Sequence, residues 1–317
     1  MKYINLGKSD LHASNIGLGI MRMNQLSVSE AAKVIETAFD LGINFFDGAD
    51  IYGEGQSDTI FGQALKETGI DRHSVYVQGK VGIVLDNRRS HDGLVFGGRY
   101  DFSRDYIVDA AHAELQRMNV EYFDSLLLHR PDPLMEPAQV AEALDTLQTD
   151  GTARHFGVSN QNPYQMALLQ NSIHQQLLIN QLQFSIMHTG MIDAGMHVNM
   201  TDDRSVDHDN GVLEYTQLHN MTVQAWSPYQ YGMFEGVFID NPKFPELNTM
   251  LQAIADRYDV TKNAIATAWI LRHPAHIQVI VGSMNPNRLK QIVEANKVEL
   301  TAQEWYDIYA AAGNALP

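Results

Sequence analysis

The chain has 317 residues, of which 44% are hydrophobic, and these values fit one large globular domain over residues 1–317. Its formal charge of −16 argues against nucleic-acid binding, and no stretch approaches the roughly 20 apolar residues of a membrane span. The absence of cysteine excludes disulfides, thiolate metal sites and a cysteine nucleophile. Because the N-terminus also carries no apolar leader, we expect a soluble cytoplasmic protein, whose oligomeric state the pattern does not indicate.

Strand-like and helix-like segments alternate along the chain. After a hairpin over 3–12, strands are predicted at 15–19, 43–46, 75–79, 123–128, 153–157, 178–183, 222–226 and 278–281. Helices are predicted at 29–41, 56–68, 103–118, 136–149, 163–171, 210–219, 245–258, 261–273, 286–295 and from 301 onward. Eight strands alternating with helices, without a linker, predict an α/β fold: a (β/α)8 TIM barrel with an N-terminal hairpin.

Two long stretches, 81–102 and 184–210, show only weak periodicity. Because each follows a predicted strand, we expect both to form long loops over the C-terminal face of the barrel. Together with 229–240 they are expected to select the substrate. Candidate pocket residues in these segments are His91, Tyr229, Tyr231 and Phe234. The methionines at 187, 191, 196 and 200 could line a pliable pocket or belong to a lid packed on its own side chains. The nearby histidines and aspartates fit no zinc pattern, so no metal is expected.

Early strands end on side chains that can hold or transfer a proton. Asp47 and Tyr52 follow the second barrel strand, Lys80 ends the third, and His129 ends the fourth. Singly, each has an ordinary explanation as a cap, a rim tyrosine, a solvated lysine or a core histidine. Jointly they predict an acid-base site. A neighbouring ammonium, held by a carboxylate, is expected to lower the phenol's pKa from its reference value of about 10.

The fifth to seventh strands end on groups suited to a planar amide ligand. Ser159 and Asn160 end the fifth strand, Gln181 lies in the sixth, and Trp226 presents a flat aromatic surface at the end of the seventh. These groups could bind a carboxamide and stack on a ring.

The eighth strand leads into a predicted anion site. Asn285 has the position of a helix N-cap, Pro286 that of the first helical residue, and Arg288 lies one turn in. We expect free amides and the arginine to bind a phosphate, a common arrangement after the last strands of such barrels. A carboxamide pocket, a stacking surface and a phosphate site together indicate a nicotinamide dinucleotide. No Gly-x-Gly-x-x-Gly fingerprint follows a strand, so Rossmann-type binding is not expected.

The sequence resembles the aldo-keto reductase family in several segments that follow the family order over nearly the whole chain. These segments are 46–53, 79–82, 128–133, 157–160 and 280–288. The 184–210 segment and the Trp226-Ser227-Pro228 run make it similar to the bacterial oxidoreductase branch. The resemblance implies an enzyme that reduces aldehydes or ketones to alcohols, with NADPH as cofactor and a small-molecule carbonyl compound as substrate.

The resemblance also implies residue roles. It implies a catalytic tetrad with the tyrosine as general acid, namely Asp47, Tyr52, Lys80 and His129. It implies a carboxamide pocket with an aromatic plate, namely Ser159, Asn160, Gln181 and Trp226. It implies a site for the adenosine 2′-phosphate at Ser283 and Arg288. Further implied cofactor contacts are Gly19, Ile20, Met21, Arg22, Ser227, Pro228, Gly282, Met284 and Asn285.

Two positions depart from the family pattern, and two other functions stay open. The family often has Thr or Ser at Gly48, and many members have Lys at Gly282, so NADH use is also possible here. One alternative is a regulatory subunit that binds the cofactor, resembling channel β-subunits, although the chain starts directly on the barrel hairpin without an extension that could act on a partner. The other is a Schiff-base lyase with Lys80 as the nucleophile.

Overall fold

The structure is a computed structural model that describes residues 1–91, 94–232 and 235–317. Of the candidate pocket residues, Phe234 lies outside the described residues, and so does the side chain of His91. Within this part of the chain, no helix combines the length and the apolar character needed to cross a membrane.

A short antiparallel hairpin covers one end of the molecule. Its strands are β1 (Tyr3–Asn5) and β2 (His12–Ser14). Leu6 and Leu11, in the connection between them, are buried against strand side chains such as Phe45. The amide of Gly7 donates to Thr222 Oγ1 at 2.8 Å, at the start of a later strand. The hairpin therefore closes the end at which the parallel strands begin.

The predicted barrel is confirmed. The remaining strands are β3 (Ile16–Gly19), β4 (Phe45–Asp47), β5 (Tyr76–Val81), β6 (Ile83–His91), β7 (Leu94–Tyr100), β8 (Phe123–Leu128), β9 (Ala153–Ser159), β10 (Leu177–Gln183), β11 (Thr222–Trp226), β12 (Gln230–Tyr231), β13 (Gly236–Val237) and β14 (Gln278–Val281). Eight of them close into a barrel in the order β3-β4-β5-β8-β9-β10-β11-β14, and all neighbours are parallel. All eight C-terminal ends therefore meet at one mouth.

The helices surround the barrel and bury their apolar faces against it. They are α1 (Val28–Asp40), α2 (Gln56–Thr68), α3 (Arg104–Met118), α4 (Pro137–Thr149), α5 (Pro163–Gln170), α6 (Gly190–Met196), α7 (Val212–Leu218), α8 (Pro245–Tyr258), α9 (Lys262–Leu271), α10 (Pro286–Val293) and α11 (Ala302–Ala311). Local sequence sets their ends: α1, α5 and α11 begin with reciprocal capping boxes. The main apolar cluster joins residues of strands and helices.

The two predicted long loops contain more structure than their sequences indicate. Most of 81–102 is the antiparallel hairpin of β6 and β7, whose register shifts interrupt the strand alternation. The 184–210 segment contains α6, and it is fixed to the C-terminal part of the chain. Tyr309 donates to Asp193 at 2.7 Å, and Arg204 donates to both Asp193 and the Gly313 carbonyl. Met191 is buried in the main cluster, so this segment is not packed only on itself.

Candidate active site

The ends of β4 and β5 bring together a carboxylate, an ammonium and a phenol. Lys80 Nζ lies 2.8 Å from Asp47 Oδ1 and 3.1 Å from Tyr52 Oη, and it donates to the carbonyl of Gly48 at 2.6 Å. Asp47 pairs with Gln78 across the two strands, and Lys80 lies two residues further along on the same face as Gln78. Lys80 is fully buried, and these three partners use all three of its N–H donors.

A strained turn holds the phenol. Tyr52 begins a 3₁₀ turn that ends at Gly55 and leads into α2. Inside it, Gly53 and Glu54 have φ values of 57° and 55°, in the left-handed region. A Cβ on Gly53 would lie 2.8 Å from the side chain of Asn24, so this position requires glycine for space as well as for conformation. The turn returns the tyrosine to the barrel mouth immediately after β4.

Lys80 is charged, as predicted, whereas the pKa of Tyr52 differs from the prediction in direction. Burial lowers the pKa of Lys80, but the charges and hydrogen bonds of Asp47 and Tyr52 outweigh it, so the net pKa is raised and Lys80 is charged at neutral pH. Burial raises the pKa of Tyr52, and the lysine offsets only part of that rise. The prediction that the pKa of the phenol is lowered is therefore wrong. Burial destabilises the phenolate by more than the neighbouring ammonium stabilises it. Tyr52 is protonated at neutral pH.

His129 extends the site from the end of β8. Its ring centroid lies 5.9 Å from that of Tyr52, with the rings edge to face. Burial, and then the charges of Lys80 and Arg130, hold the pKa of His129 well below its ordinary value, so the imidazole is neutral. Its Nδ1 is buried and has no hydrogen-bond partner within the described chain. A neutral imidazole next to a phenol can donate to a carbonyl oxygen without adding a charge.

Two buried amides fix the Asp47 carboxylate from the barrel interior. Besides Lys80, Oδ1 of Asp47 accepts from Gln78 Nε2 at 2.7 Å and from Gln181 Nε2 at 3.1 Å. Three donors on one oxygen leave the carboxylate little freedom to rotate. The lysine is therefore held by an acid that is itself held by β5 and β10.

The same amides continue as a hydrogen-bonded chain through the barrel. Gln78 and Gln181 both donate to Gln224 Oε1, at 2.8 and 3.0 Å. Gln224 donates to Gln278 Oε1 at 2.8 Å, and Gln278 donates to the carbonyl of Ser14 at 2.8 Å. Gln78, Gln224 and Gln278 were not among the predicted site residues. The available signal was spacing, because Gln78 lies two residues before Lys80, and a buried polar residue on the face of a site residue belongs to its network.

The predicted carboxamide residues meet at the ends of β9, β10 and β11. Asn160, with a left-handed φ of 57°, donates to Ser159 Oγ at 2.7 Å and accepts from Trp226 Nε1 at 3.1 Å. Ser159 Oγ donates to the backbone carbonyl of Gln181 at 2.9 Å. The side chain of Gln181 does not join this group. It turns into the barrel toward Asp47, because a buried amide needs partners and that carboxylate is within reach.

The other predicted cofactor contacts lie around the same mouth. Gly19 ends β3, and a Cβ there would lie 3.9 Å from Asp47 Oδ2. Ile20 N donates to the carbonyl of Asp47 at 2.9 Å, and the Met21 carbonyl accepts from a serine of α2. Ser227, with a φ of 51°, and then Pro228 follow the last residue of β11.

The segment after β14 differs from a free helix N-terminus. Asn285 caps α10 with Pro286 at its first position, as predicted. However, Asn285 Oδ1 accepts from the amides of residues 287 and 288 at 2.9 and 3.3 Å, so the expectation of free amides is wrong there. The cap side chain competes for the donors that an anion would use. Ser283 Oγ similarly accepts from the Asn285 amide at 3.3 Å, and Met284 is half-buried against the core.

Two cations remain available beside this segment. Arg288 is exposed on the first turn of α10. Arg22, from the loop after β3, places Nη1 3.4 Å from the carbonyl of Gly282, and a Cβ on Gly282 would lie 3.1 Å from that nitrogen. The glycine therefore leaves space that a second guanidinium uses. Guanidinium groups and a hydroxyl are donors whose chemistry fits a phosphate.

A second titratable cluster lies behind the lysine, between the barrel and α2 and α3. Glu114 is fully buried, and neither carboxyl oxygen has a partner among the described residues. Asp58 accepts from Arg117 at 2.9 Å. Burial, and then the neighbouring carboxylates, raise the pKa of Asp50 to about 8 and of Glu114 well above its usual value, and burial raises the pKa of Asp58 to about 7. No group able to hold a metal ion occurs in the described chain.

Two glycines, at positions 48 and 79, pack against α3. A Cβ on Gly48 would lie 2.3 Å from Met118 Cε and 3.4 Å from Glu114 Oε1. A Cβ on Gly79 would lie 2.9 Å from Glu114 Oε2. Gly79 on β5 therefore makes room for the buried acid, and Gly48, directly after β4, makes room for Met118.

Comparisons with known proteins agree on one family. A sequence model described as the Aldo/keto reductase family matches residues 15–312. The uncharacterized oxidoreductase YcsN of Bacillus subtilis is 32% identical over 320 residues, covering 98% of each chain. A 6-dehydroglucose reductase of Agrobacterium fabrum is 31% identical over 306 residues, covering 95% of each. The structure of an aldo/keto reductase from Klebsiella pneumoniae in complex with NADP and acetate aligns with a TM-score of 0.77 at 20% identity, covering 99% and 97%.

The chain belongs to the aldo/keto reductase family. It is an oxidoreductase of carbonyl compounds that uses a nicotinamide cofactor, and the predicted family and enzyme class are confirmed.

The buried acids predict a pH dependence of folding. A carboxyl whose pKa is raised in the folded state contributes stability that is complete below its unfolded pKa, near 4, and is lost as pH rises through the folded pKa. Stability should therefore fall between about pH 4 and pH 8, by about 1.4 kcal/mol per pH unit for each extra proton that the folded state holds. Glu114→Gln, which resembles the protonated acid, should reduce that slope.

The measurement is the melting temperature from pH 5 to pH 9 at a fixed scan rate. Glu142→Gln, an exposed position on α4, should keep the parent slope. An identical slope in parent and Glu114→Gln would mean that Glu114 does not hold its proton in the folded protein.

Proposed function

We propose that this enzyme reduces aldehydes or ketones to alcohols with NADPH, and that Tyr52 is the general acid. The observation that carries the proposal is the contact of Lys80 Nζ with both Tyr52 Oη and Asp47 Oδ1, at 3.1 and 2.8 Å, next to a neutral His129. Proton donation requires a protonated donor at the barrel mouth, and the raised pKa of Tyr52 supplies that form.

The proposed reaction divides between the cofactor and the chain. NADPH, when bound, supplies the hydride. The His129 imidazole and the Tyr52 hydroxyl hold the carbonyl oxygen, and Tyr52 gives its proton to that oxygen as the alcohol forms. The Lys80 ammonium, next to the phenol, stabilises the phenolate left behind, and Asp47 keeps the ammonium in place. The reverse direction uses the same groups.

The residues at the ends of β9, β10, β11 and β14 support the assignment of NADPH as the cofactor. Ser159, Asn160 and Trp226 would hold the nicotinamide, while the amide nitrogen of Gln181 stays on Asp47. Ser283 and Arg288 would hold the 2′-phosphate, with Arg22 supplying a cation beside Gly282. Because a 2′-phosphate adds about two negative charges, guanidinium groups here favour NADPH over NADH.

The alternatives have less support. A lyase needs Lys80 as a free amine, but its raised pKa and its three partners keep it charged and fixed.

A cofactor-binding regulatory subunit stays a second candidate, because proteins named as potassium-channel β-subunits are also relatives of this chain, at 27% identity for that of Schizosaccharomyces pombe. Cofactor oxidation with a panel of aldehydes, including a sugar aldehyde as the Agrobacterium relative suggests, separates the two.

Tyr52→Phe tests the acid. The variant loses the donated proton but keeps the ring, so kcat for carbonyl reduction should fall by about 10²–10⁴ while the Kd for NADPH stays close to that of the parent. Tyr258→Phe, which loses a remote hydroxyl bonded to Glu304, is the matched control and should retain kcat. Unchanged turnover in Tyr52→Phe would remove this residue from proton transfer.

Arg288→Ala tests the phosphate site. Loss of a charge-assisted hydrogen bond worth about 1.5–3 kcal/mol should reduce the preference for NADPH over NADH by about 10- to 100-fold, read as the ratio of Kd values from fluorescence titration. Arg22→Ala, measured in parallel, reports how much of the preference the second guanidinium carries. Lys290→Ala, exposed on the same helix, should leave the ratio unchanged. Equal ratios in Arg288→Ala and the parent would place the 2′-phosphate elsewhere.

A further inference from the structure

Arg130 follows His129 directly and extends over the same mouth. Its guanidinium carbon lies 5.6 Å from the centroid of the Trp226 ring. Burial lowers the pKa of Arg130, and the nearby phenols of Tyr100 and Tyr52 oppose that change. The charge of Arg130 acts in turn on the His129 imidazole. The guanidinium therefore lies among the side chains that would surround a bound carbonyl compound.

Arg130 differs from the other partly buried arginines in its contacts. Arg72, Arg117 and Arg204 each lie within hydrogen-bond distance of a carboxylate, at 2.8, 2.9 and 2.7 Å. Among the residues that the structure describes, Arg130 forms no ion pair, and its side chain donates no hydrogen bond. A guanidinium carries five N–H donors, and an anionic ligand can accept from several of them at once. This arrangement suits an anionic ligand.

The barrel topology separates this cation from the phosphate site. Gly282, Ser283 and Arg288 follow β14, whereas Arg130 follows β8, which is four strands away in a barrel of eight. His129 follows the same strand, so Arg130 and the imidazole leave the barrel side by side. An anion at Arg130 would therefore lie next to His129, where the carbonyl compound is expected.

We propose that Arg130 binds a carboxylate of the substrate, and hence that the enzyme acts on oxo acids, in which a carboxylate lies a few carbons from the carbonyl. This inference rests on the proposed function. A guanidinium matches a carboxylate through two parallel hydrogen bonds, and the Trp226 ring holds the guanidinium by a cation–π contact. The carboxylate would fix one end of the substrate while Tyr52 and His129 hold the carbonyl oxygen at the other.

Matched substrate pairs test the proposal. 4-Oxobutanoate and butanal, and likewise glyoxylate and acetaldehyde, differ by a carboxylate in place of a methyl group. In the parent, kcat/KM should favour the acid of at least one pair. Arg130→Met should lower that acid-to-neutral ratio by about 10- to 100-fold, as expected for a lost charge-assisted pair, and Arg130→Lys should retain part of it.

Arg154→Met is the matched control. Arg154 also stacks on an aromatic ring, 3.5 Å from the centroid of Tyr122, but lies near the start of β9, away from the mouth. Its substitution should leave the ratio unchanged. An acid-to-neutral ratio in the parent at or below one for both pairs, or the same ratio in Arg130→Met, overturns the proposal.

A binding measurement tests the carboxylate site at Arg130 independently of catalytic turnover. Butyrate should bind the parent enzyme–NADP complex at least about tenfold more tightly than butyramide, and Arg130→Lys should narrow that difference. Equal affinity for the two ligands contradicts the carboxylate site. If no aldehyde oxidises NADPH, the proposed function fails, whereas the preference for butyrate still reports on Arg130.

Discussion

The buried ion pair of Lys80 and Asp47 is the constraint on which the rest of the site depends. An ammonium with no exposed surface must have partners for all of its donors, and removing one partner of a buried pair costs about 3–5 kcal/mol. The third donor of this lysine is committed to Tyr52. The position of the phenol is therefore fixed by the need to satisfy a charge, and a fixed phenol next to a cation is what the proposed proton transfer requires.

The surroundings of the pair follow from that constraint. Glutamines from β5 and β10 hold the carboxylate from inside the barrel, and Gln224 links them to the strands behind. Outside the barrel, Gly79 leaves room for the buried Glu114. The strand ends that carry the ion pair are consequently packed on both sides.

Much of this architecture was predictable from local pattern. Strands 123–128, 222–226 and 278–281 coincide with the structure, because apolar runs bounded by turn signals define buried parallel strands. Parallel closure then brings Asp47, Lys80 and His129 together, since strand ends share one mouth. The direction of the Tyr52 pKa was not predictable, because burial depends on packing that no motif records. The inward turn of Gln181 and the capped amides after Asn285 likewise depend on which acceptor is nearest in space.

The most direct test is a double-mutant cycle on kcat/KM for carbonyl reduction with Asp47→Asn and Lys80→Met. If the carboxylate acts only by holding the ammonium, the double variant should be about as impaired as Lys80→Met alone, giving a coupling energy of several kcal/mol. Additive losses, with the two single effects multiplying in the double variant, would show that the two residues act independently, and the ion pair would no longer explain how Tyr52 is positioned.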